Sequence, residues 1–302
     1  MTLRNNLSRA AILTSVLSLF LASTSVTSSC TAHDVAATQQ TAQTRAAGTS
    51  LTLTLKGIEL SFHWAPAGVF VMGSPENEPG RYDDEVQHEV TLTHGFWLAE
   101  TETTQRLWDA FMPENPSGVT DDPQLPVERV SWDDCVAFIE KLNAECADVL
   151  PQGYRFALPT EAQWEYACRA GNYAPFNFVE ANDLAKAMEQ EVSDPYEVVL
   201  QGINRSELQP VRTNSKPNAW GLYDMHGNVY EWTDDVYDYR YYLRDDATLD
   251  PKGSDVGKNR VLRGGSWLYG VAFCRAAARA RNVPATRGYN YGFRLALRAV
   301  ED

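Results

Sequence analysis

The pattern of hydrophobic residues changes at residue 51, where apolar and polar positions begin to alternate. The segment LTLTLKGIELSFHWAPAGVFVMGS (51–74) alternates and is broken at Pro66 and Gly68, which predicts strands joined by turns. HEVTLTHGFWLAETE (88–102) predicts a second pair of strands. Further short strands are predicted at 221–232, 260–267 and 291–298, separated by segments without clear periodicity at 172–218 and 233–259.

Helical spacing appears first in TTQRLWDAFM (103–112), where the apolar residues Leu107, Trp108 and Phe111 share one face. A second helix is predicted to follow Ser131 as its N-cap. Its apolar face recurs at spacings of four, three and four residues and comprises Cys135, Ile139, Leu142 and Cys146. Cys135 and Cys146 are then about 16 Å apart along the axis, so they cannot form a disulfide with each other.

A third helix is predicted in LPTEAQWEYACRAG (158–171). Thr160 and Gln163 have the spacing of a capping box, and Gly171 is the residue expected to end the helix. The inward face comprises Trp164, Ala167 and Cys168. Helices set among short strands and long loops predict an α+β fold, and no internal repeat or boundary divides residues 51–302 into two domains.

The N-terminal segment, residues 1–30, has the pattern of a signal peptide. Arg4 and Arg9 precede an apolar run of about 13 residues (10–22), which is shorter than the ~20 residues that cross a bilayer. Small residues then lead to Cys30, which resembles the lipidated cysteine of bacterial lipoproteins. The alternative is ordinary signal-peptidase cleavage that removes Cys30. We expect an exported envelope or surface lipoprotein, held at the membrane by a lipid anchor, with residues 31–50 as a flexible tether.

Composition excludes one class of partner. The formal net charge is −14, and the sequence has no basic stripe of the kind that nucleic-acid binding requires. The five histidines, at positions 33, 63, 88, 94 and 226, do not have the spacing of metal ligands. Aromatic residues are plentiful, with 8 Trp, 14 Tyr and 11 Phe, and can fill a core or form a binding surface on loops.

A series of motifs in a fixed order covers residues 55–298. They read FVMGSPENE (70–78), VTLTHGFWLAETETTQRLW (90–108), PVERVSW (126–132), RFALPTEAQWEYACRAG (155–171), GLYDMHGNVYEW (221–232), RVLRGGSW (260–267), CRAAARARN (274–282) and GFRLAL (292–297). In this order they resemble the formylglycine-generating enzyme, or sulfatase-modifying factor, family. The resemblance implies a C-type-lectin-like fold with long irregular loops, stabilised by calcium.

The resemblance also implies a copper(I) site, formed in the family by two cysteines at C-x4-C spacing after the GGSW-like strand; soft thiolates select this ion. Here the first cysteine position is Tyr269, and Cys274 falls on the second. We therefore expect no copper and no functional formylglycine-generating oxidase. In a second alignment, which we favour, Cys274 is the partner of Cys168 in a structural disulfide of the family. A reduced structural Cys274 and a reactive, catalytic Cys274 remain alternatives.

The same resemblance implies a calcium site in YDMHGNVYEW (223–232). Its ligands would be Asp224, the carbonyl oxygens of Gly227 and Val229, and Glu231. The alternative is a tight turn with a solvated Glu231. Asn182 is a weaker candidate for a second calcium site.

The C-terminal loops carry side chains suited to ligand binding, because Tyr and Asn on loops combine contact area with adaptable hydrogen bonds. The candidates are Tyr269, Phe273, Arg281, Asn282, Arg287, Tyr289, Asn290 and Tyr291. The layout resembles the variable proteins of diversity-generating retroelements. An adjacent reverse-transcriptase gene would distinguish this possibility from the alternative, in which these are ordinary loop and core positions. We favour a protein that binds an unknown protein or small molecule; the second hypothesis is a divergent oxidase or sulfatase-maturation paralogue acting on protein cysteine.

Overall fold

The computed structural model describes residues 45–177, 207–213 and 216–300. The expectations for the signal peptide, for Cys30, for most of the tether and for Asn182 concern residues outside these ranges. Among the helices that the structure describes, none has the length and apolar character needed to cross a bilayer.

Short strands dominate the described residues. The strands are β1 Ser50–Leu55, β2 Ile58–Ala65, β3 Gly68–Met72, β4 His88–Leu92, β5 Phe96–Ala99, β6 Tyr154–Ala157, β7 Tyr230–Val236, β8 Arg260–Arg263, β9 Ala280–Asn282, β10 Tyr291–Gly292 and β11 Ala296–Ala299. The α-helices are α1 Gln105–Phe111, α2 Trp132–Glu145 and α3 Glu161–Arg169. Single 3₁₀ turns occur at Ala147–Val149, Tyr241–Leu243, Asp245–Ala247 and Val271–Cys274.

The described strands form three sheets. One has the order β1-β2-β5-β11-β6, the second the order β10-β7-β8-β9, and the third is the hairpin β3-β4. Pairing is antiparallel except between β10 and β7, where Tyr291 lies opposite Tyr230. The strand predictions for 88–102 are confirmed, but β4 and β5 are not paired with each other. β4 pairs with β3, and β5 lies between β2 and β11.

The helix signals in the sequence are confirmed in detail. Ser131 accepts a hydrogen bond from Asp134 N–H, and Thr160 accepts one from Gln163 N–H, each within a reciprocal capping box. The predicted apolar faces of all three helices are buried. α3 ends at Arg169, and Gly171 follows the C-cap Ala170 with a φ of 85°, so the predicted helix end at Gly171 is confirmed.

The folded unit begins before the predicted boundary at residue 51. Arg45 lies over the rings of Trp64 and Trp97, at 4.7 and 4.5 Å from their centroids. The Gly48 N–H donates to the carbonyl oxygen of Trp64 (2.9 Å). Residues 45–50, which the sequence places in the tether, therefore contact the domain.

Two groups of buried side chains form the interior. The first gathers around Trp108, Phe138 and Phe293, whose rings contact one another, and joins α1 and α2 to the five-stranded sheet. The second gathers around Trp164 and Met225 and joins α3 to the hairpin β3-β4. Tyr230 and Trp232 belong to the first group and Tyr291 packs against it, whereas Ala276 belongs to the second.

Buried arginines hold the irregular segments together. The side chain of Arg275 is fully buried and donates to Glu78 (2.6 Å) and to both oxygens of Glu85 (2.7 Å each). It also donates to the carbonyl oxygen of Gly80 (2.6 Å). Burial acts to raise the pKa of Glu85, but the bonds and charge of Arg275 outweigh it and lower that pKa. Three further arginines are buried in the same way: Arg263, Arg279 and Arg294.

We expect Arg275→Met to destabilise the fold strongly. It leaves the carboxylates of Glu78 and Glu85 buried without their cation, which typically costs about 3–5 kcal/mol. The measurement is the free energy of unfolding in urea. Arg244→Met is the control, because it removes an exposed pair with Asp246 and should leave the free energy of unfolding nearly unchanged. Equal effects of the two substitutions would contradict this role for Arg275.

Candidate functional site

The segment after β8 is shaped by two glycines in succession. Gly264 and Gly265 have φ values of 90° and 73°, which favour glycine over other residues. A Cβ on Gly265 would overlap Cys274 Sγ. The chain therefore turns tightly after β8 and returns through the 3₁₀ turn Val271–Cys274, which packs Cys274 against the glycine pair.

Cys274 has the environment of an inert core thiol. It is 7% exposed, and burial raises the pKa of its thiol to about 12. The thiolate is the reactive form of cysteine, so Cys274 is a poor nucleophile and a poor metal ligand at neutral pH. Tyr269, at the position of the other family cysteine, is 41% exposed and supplies a phenol. These two residues do not form a thiolate pair.

The predicted disulfide between Cys168 and Cys274 is not present, because both residues are free thiols. The ring of His226 contacts both residues instead. Its Nε2 lies 3.6 Å from Cys168 Sγ, and its Nδ1 donates to the carbonyl oxygen of Cys274 (2.8 Å). Nε2 also accepts the N–H of Asn177 (3.2 Å). These partners fit a neutral imidazole, and burial lowers the pKa of His226 to about 4.

A row of aromatic rings leads from the interior to the surface beside this turn. Neighbouring ring centroids are 5.5–6.2 Å apart along the whole row. We call it the aromatic row; in order, it comprises Trp232, Tyr291, Tyr230, Tyr269, Phe273 and Tyr82. Trp232 is fully buried, whereas Tyr269 and Tyr82 are 41% and 49% exposed. The row thus presents a rigid apolar surface with hydroxyl groups at its exposed end.

The structure brings part of the predicted binding set together. Tyr269, Phe273 and Tyr291 belong to the aromatic row. Tyr289 is 51% exposed, and its ring lies 6.2 Å from that of Trp267. The two charged candidates have other partners: Arg287 pairs with Asp134, and Arg281 donates to the Tyr237 hydroxyl (2.9 Å).

Neither asparagine in the predicted set is available as a surface ligand-binding group. Asn290 is 3% exposed, and its Nδ2 donates to Ser266 Oγ (2.8 Å). Asn282 donates to the Tyr291 hydroxyl (3.0 Å) and accepts from Thr286 Oγ1 (3.1 Å). Placing Asn290 in the binding surface is wrong, because the side chain ties the 288–291 loop to the turn after β8.

Four ring-bearing residues of the site or beside it were missed from the sequence: Tyr82, Tyr230, Trp232 and Trp267. Tyr230 could have been found, because it precedes the EW pair of a predicted strand. Tyr82 had no local signal. It lies in the 78–85 loop, which Arg275 bonds from a position 190 residues further along the chain than Glu85, and its ring contacts that of Phe273.

The predicted calcium loop has a strongly curled backbone. Asp224, Gly227 and Asn228 have φ values of 56°, 118° and 59°. The Asp224 carboxylate accepts the N–H of Arg212 (2.7 Å), and the Gly227 N–H donates to the carbonyl oxygen of Gly264 (2.8 Å). Carboxylate and carbonyl oxygens around a sharp turn suit Ca²⁺, so Asp224 and the Gly227 and Val229 carbonyls fit the ion.

Glu231 does not fit the ion in the same way. Its carboxylate is fully buried, with both oxygens bonded to Arg294 (2.6 Å each) and one also accepting the Trp164 indole N–H (2.7 Å). A calcium ion at these oxygens would lie beside a buried guanidinium of the same sign. In the described part of the chain, no group of three or more His, Cys, Asp or Glu side chains is placed to hold a metal. Backbone carbonyls would have to complete any site here.

Comparison with known proteins agrees with this architecture. Residues 60–299 match the family described as sulfatase-modifying factor enzyme 1-like domain. The chain belongs to this family. Its fold is accordingly the α+β, C-type-lectin-like fold of formylglycine-generating enzymes. The formylglycine-generating enzyme of Bos taurus is 36% identical over 197 residues, which cover 61% of this chain and 47% of that protein. This chain spans about half the length of the curated relatives it matches.

Two solved structures resemble the chain over almost their whole length. Treponema denticola variable protein 1 is 28% identical, with a TM-score of 0.67, and the match covers 83% of this chain and 99% of that one. PvdO from Pseudomonas aeruginosa is also 28% identical, with a TM-score of 0.67, covering 84% and 99%. The chain therefore resembles proteins described as enzymes and one described as a variable protein.

We expect Cys168 and Cys274 to resist alkylation in the folded protein. Burial raises the pKa of both thiols to about 12, so the thiolate fraction at pH 7 is on the order of 10⁻⁵. The measurement is intact mass after iodoacetamide treatment, with a urea-unfolded sample as the control that should react fully. Rapid alkylation of Cys274 in the folded protein, or a linked Cys168–Cys274 peptide without reduction, would contradict this assignment.

We expect His226 to make stability depend on pH below neutrality. The imidazole takes up a proton near its ordinary pKa of 6.5 when unfolded, but near 4 when folded. Between these pH values the unfolded chain binds more protons than the folded one. The contribution of neutral His226 to the free energy of unfolding is therefore complete above pH 6.5 and is lost as pH falls toward 4. It amounts to about 3 kcal/mol.

The measurement is the free energy of unfolding of wild type and His226→Gln at several pH values. The difference between the two proteins isolates His226 from other titrating groups, including His63, whose pKa is raised. A difference that stays constant from pH 7 to pH 5 would rule out this contribution.

Proposed function

We propose that this protein binds a ligand through the exposed end of the aromatic row and does not oxidise protein cysteine. We propose further that it is displayed on a bacterial envelope by a lipid on Cys30, with the residues before Arg45 acting as a tether. Its ligand would be a protein or a small molecule, since the net charge of −14 argues against nucleic acid.

One observation carries the proposal. Where family enzymes have a pair of copper ligands, this chain has an exposed phenol and a buried thiol. Tyr269 is 41% exposed, and its ring centroid lies 5.5 Å from that of Phe273. Both rings belong to the aromatic row, which ends at the exposed Tyr82. Rigid aromatic side chains of this kind dominate the binding energy of many interfaces. The arrangement supports recognition better than redox chemistry.

The likeness to Treponema denticola variable protein 1 supports a further part of the proposal. We propose that the surface positions of the 269–291 segment are diversified on a constant scaffold. Tyr269 and Tyr289 are exposed. Cys274, which lies between them in the sequence, and Asn290, which follows Tyr289, are buried. Exposed positions can change without a cost in core packing, and buried ones cannot.

Calcium is a proposed component of this scaffold. The curled loop 224–231 offers the oxygen ligands described above, and bound Ca²⁺ would hold it in the conformation that carries Tyr230. Calcium would therefore be structural, and the binding surface itself would contain no metal.

The test is binding to an array of immobilised peptides and glycans. Array members that the wild-type protein binds are the test ligands. We expect Tyr269→Ser to lower the affinity for them at least tenfold, or by about 1.4 kcal/mol, because it removes the centre of the exposed aromatic surface. Tyr239→Ser is the matched control, since Tyr239 is 50% exposed but lies outside the aromatic row. Its binding should equal that of wild type.

Two outcomes would contradict the proposal. The first is equal binding by wild type and Tyr269→Ser. The second is copper-dependent conversion of a cysteine-containing peptide to its aldehyde by the wild-type protein, with that activity lost in Cys274→Ser. The second result would favour the alternative, a divergent oxidase acting on protein cysteine.

A further inference from the structure

Glu102 is a buried carboxylate to which no other described residue donates a hydrogen bond. Its side chain lies in the turn between β5 and α1 and is 1% exposed. Neither of its carboxylate oxygens has a hydrogen-bond donor in the described part of the chain. A buried polar group in this state is costly, so a native protein normally supplies it with a partner.

The backbone brings Glu102 beside the calcium loop. The Tyr223 N–H donates to the carbonyl oxygen of Glu100 (2.9 Å), which joins the 100–102 segment to the residue before Asp224. Arg294 reinforces this join, since it donates to the carbonyl oxygens of both Ala99 (3.2 Å) and Tyr223 (3.0 Å). Burial, followed by the negative charge of Asp224, raises the pKa of Glu102 well above its usual value.

Two carboxylates around this point, Glu102 and Asp224, have no hydrogen bond to a cationic side chain, although the charge of Arg294 acts on both. Glu231 is matched by Arg294 through two hydrogen bonds. Glu100 is matched by His63 (2.9 Å) and Arg212 (2.8 Å). Asp224 accepts only a neutral backbone N–H in the bonds described above, and Glu102 has no donor. Two carboxylates balance the charge of one divalent cation.

We propose that Glu102, and not Glu231, is the second carboxylate ligand of the calcium site, together with Asp224 and the carbonyl oxygens of Gly227 and Val229. This rests on the proposal that the 224–231 loop holds calcium. It assigns Glu231 a different task, which is to fix Arg294 and, through it, the position of the loop. Two side chains completed by carbonyls also agree with the lack of any three-side-chain cluster in the described residues.

A groove lies beside Glu102. It has a volume of about 510 Å³ and lies between the β1–β2 hairpin and the segment from Glu100 to Leu107. Its lining includes Glu102, Glu100 and Arg212. The carboxylate oxygens of Glu102 lie below the surface that water reaches, so a cation would bind there after losing most of its own hydration.

The experiment uses Tb³⁺ as a luminescent substitute for Ca²⁺ in the metal-free protein. Trp164 bonds Glu231 and lies beside Gly264, so its excitation should sensitise bound Tb³⁺. We expect Tb³⁺ luminescence that Ca²⁺ displaces in wild type. Glu102→Gln should weaken the affinity for both ions at least tenfold, since even outer-shell substitutions at metal sites cost that much.

Asp235→Asn is the matched control. Asp235 is also a buried carboxyl with a raised pKa, but its Oδ2 accepts the Glu161 N–H, so it already has a protein partner. It should bind both ions as wild type does. Glu102→Asp keeps the charge and shortens the side chain, so it tests the ligand geometry if the Gln variant does not fold.

Three results are informative. Weaker binding in Glu102→Gln, with wild-type binding in Asp235→Asn, supports the assignment. Unchanged binding in Glu102→Gln overturns it and leaves the calcium proposal standing. No response from the wild-type protein to either ion overturns both the assignment and the calcium proposal, whereas the role of the aromatic row is decided separately by the Tyr269→Ser comparison.

Discussion

The architecture depends on one kind of interaction, the buried arginine paired with carboxylates from distant segments. Arg275 is the clearest example, since it ties the 78–85 loop to the turn that contains Cys274. Regular secondary structure satisfies backbone groups locally, but this fold has long segments that no helix or strand stabilises. Guanidinium groups with several donors can bind carboxylates and loop carbonyls at once, which fixes such segments in one arrangement.

These ion pairs lie beneath the surface proposed for binding. Arg275 bonds the carbonyl oxygen of Gly80, and Tyr82 two residues later contacts Phe273. Arg263 is equally buried and donates to the carbonyl oxygens of Ala276 (2.8 Å) and Ala277 (3.0 Å). The exposed end of the aromatic row, Tyr82 and Phe273, therefore lies next to segments that buried ion pairs hold in place, although the contacts within the row are between rings. A surface that is rigid before binding loses less conformational entropy when a ligand binds.

The sequence predicted those features that depend on neighbouring residues. The capping boxes of Ser131 and Thr160, the apolar helix faces and most strands follow from spacing alone, and the structure confirms them. The pairing of β4 with β3, the contact of Tyr82 with Phe273 and the missing donors of Glu102 do not. Each depends on segments far apart in the chain, and a one-dimensional pattern contains no information about which of them meet.

Two assignments that come from the family resemblance meet the same physical obstacle. The family resemblance assigned Cys168 to a disulfide and Glu231 to calcium, each by its position in a motif. In this chain both groups have other partners: His226 contacts Cys168, and Arg294 takes both oxygens of Glu231. A side chain whose hydrogen-bonding capacity is already used in the interior is a weak candidate for a second role. Glu102 is the opposite case, because a motif gave it no role and its surroundings leave both of its oxygens without a donor in the described residues.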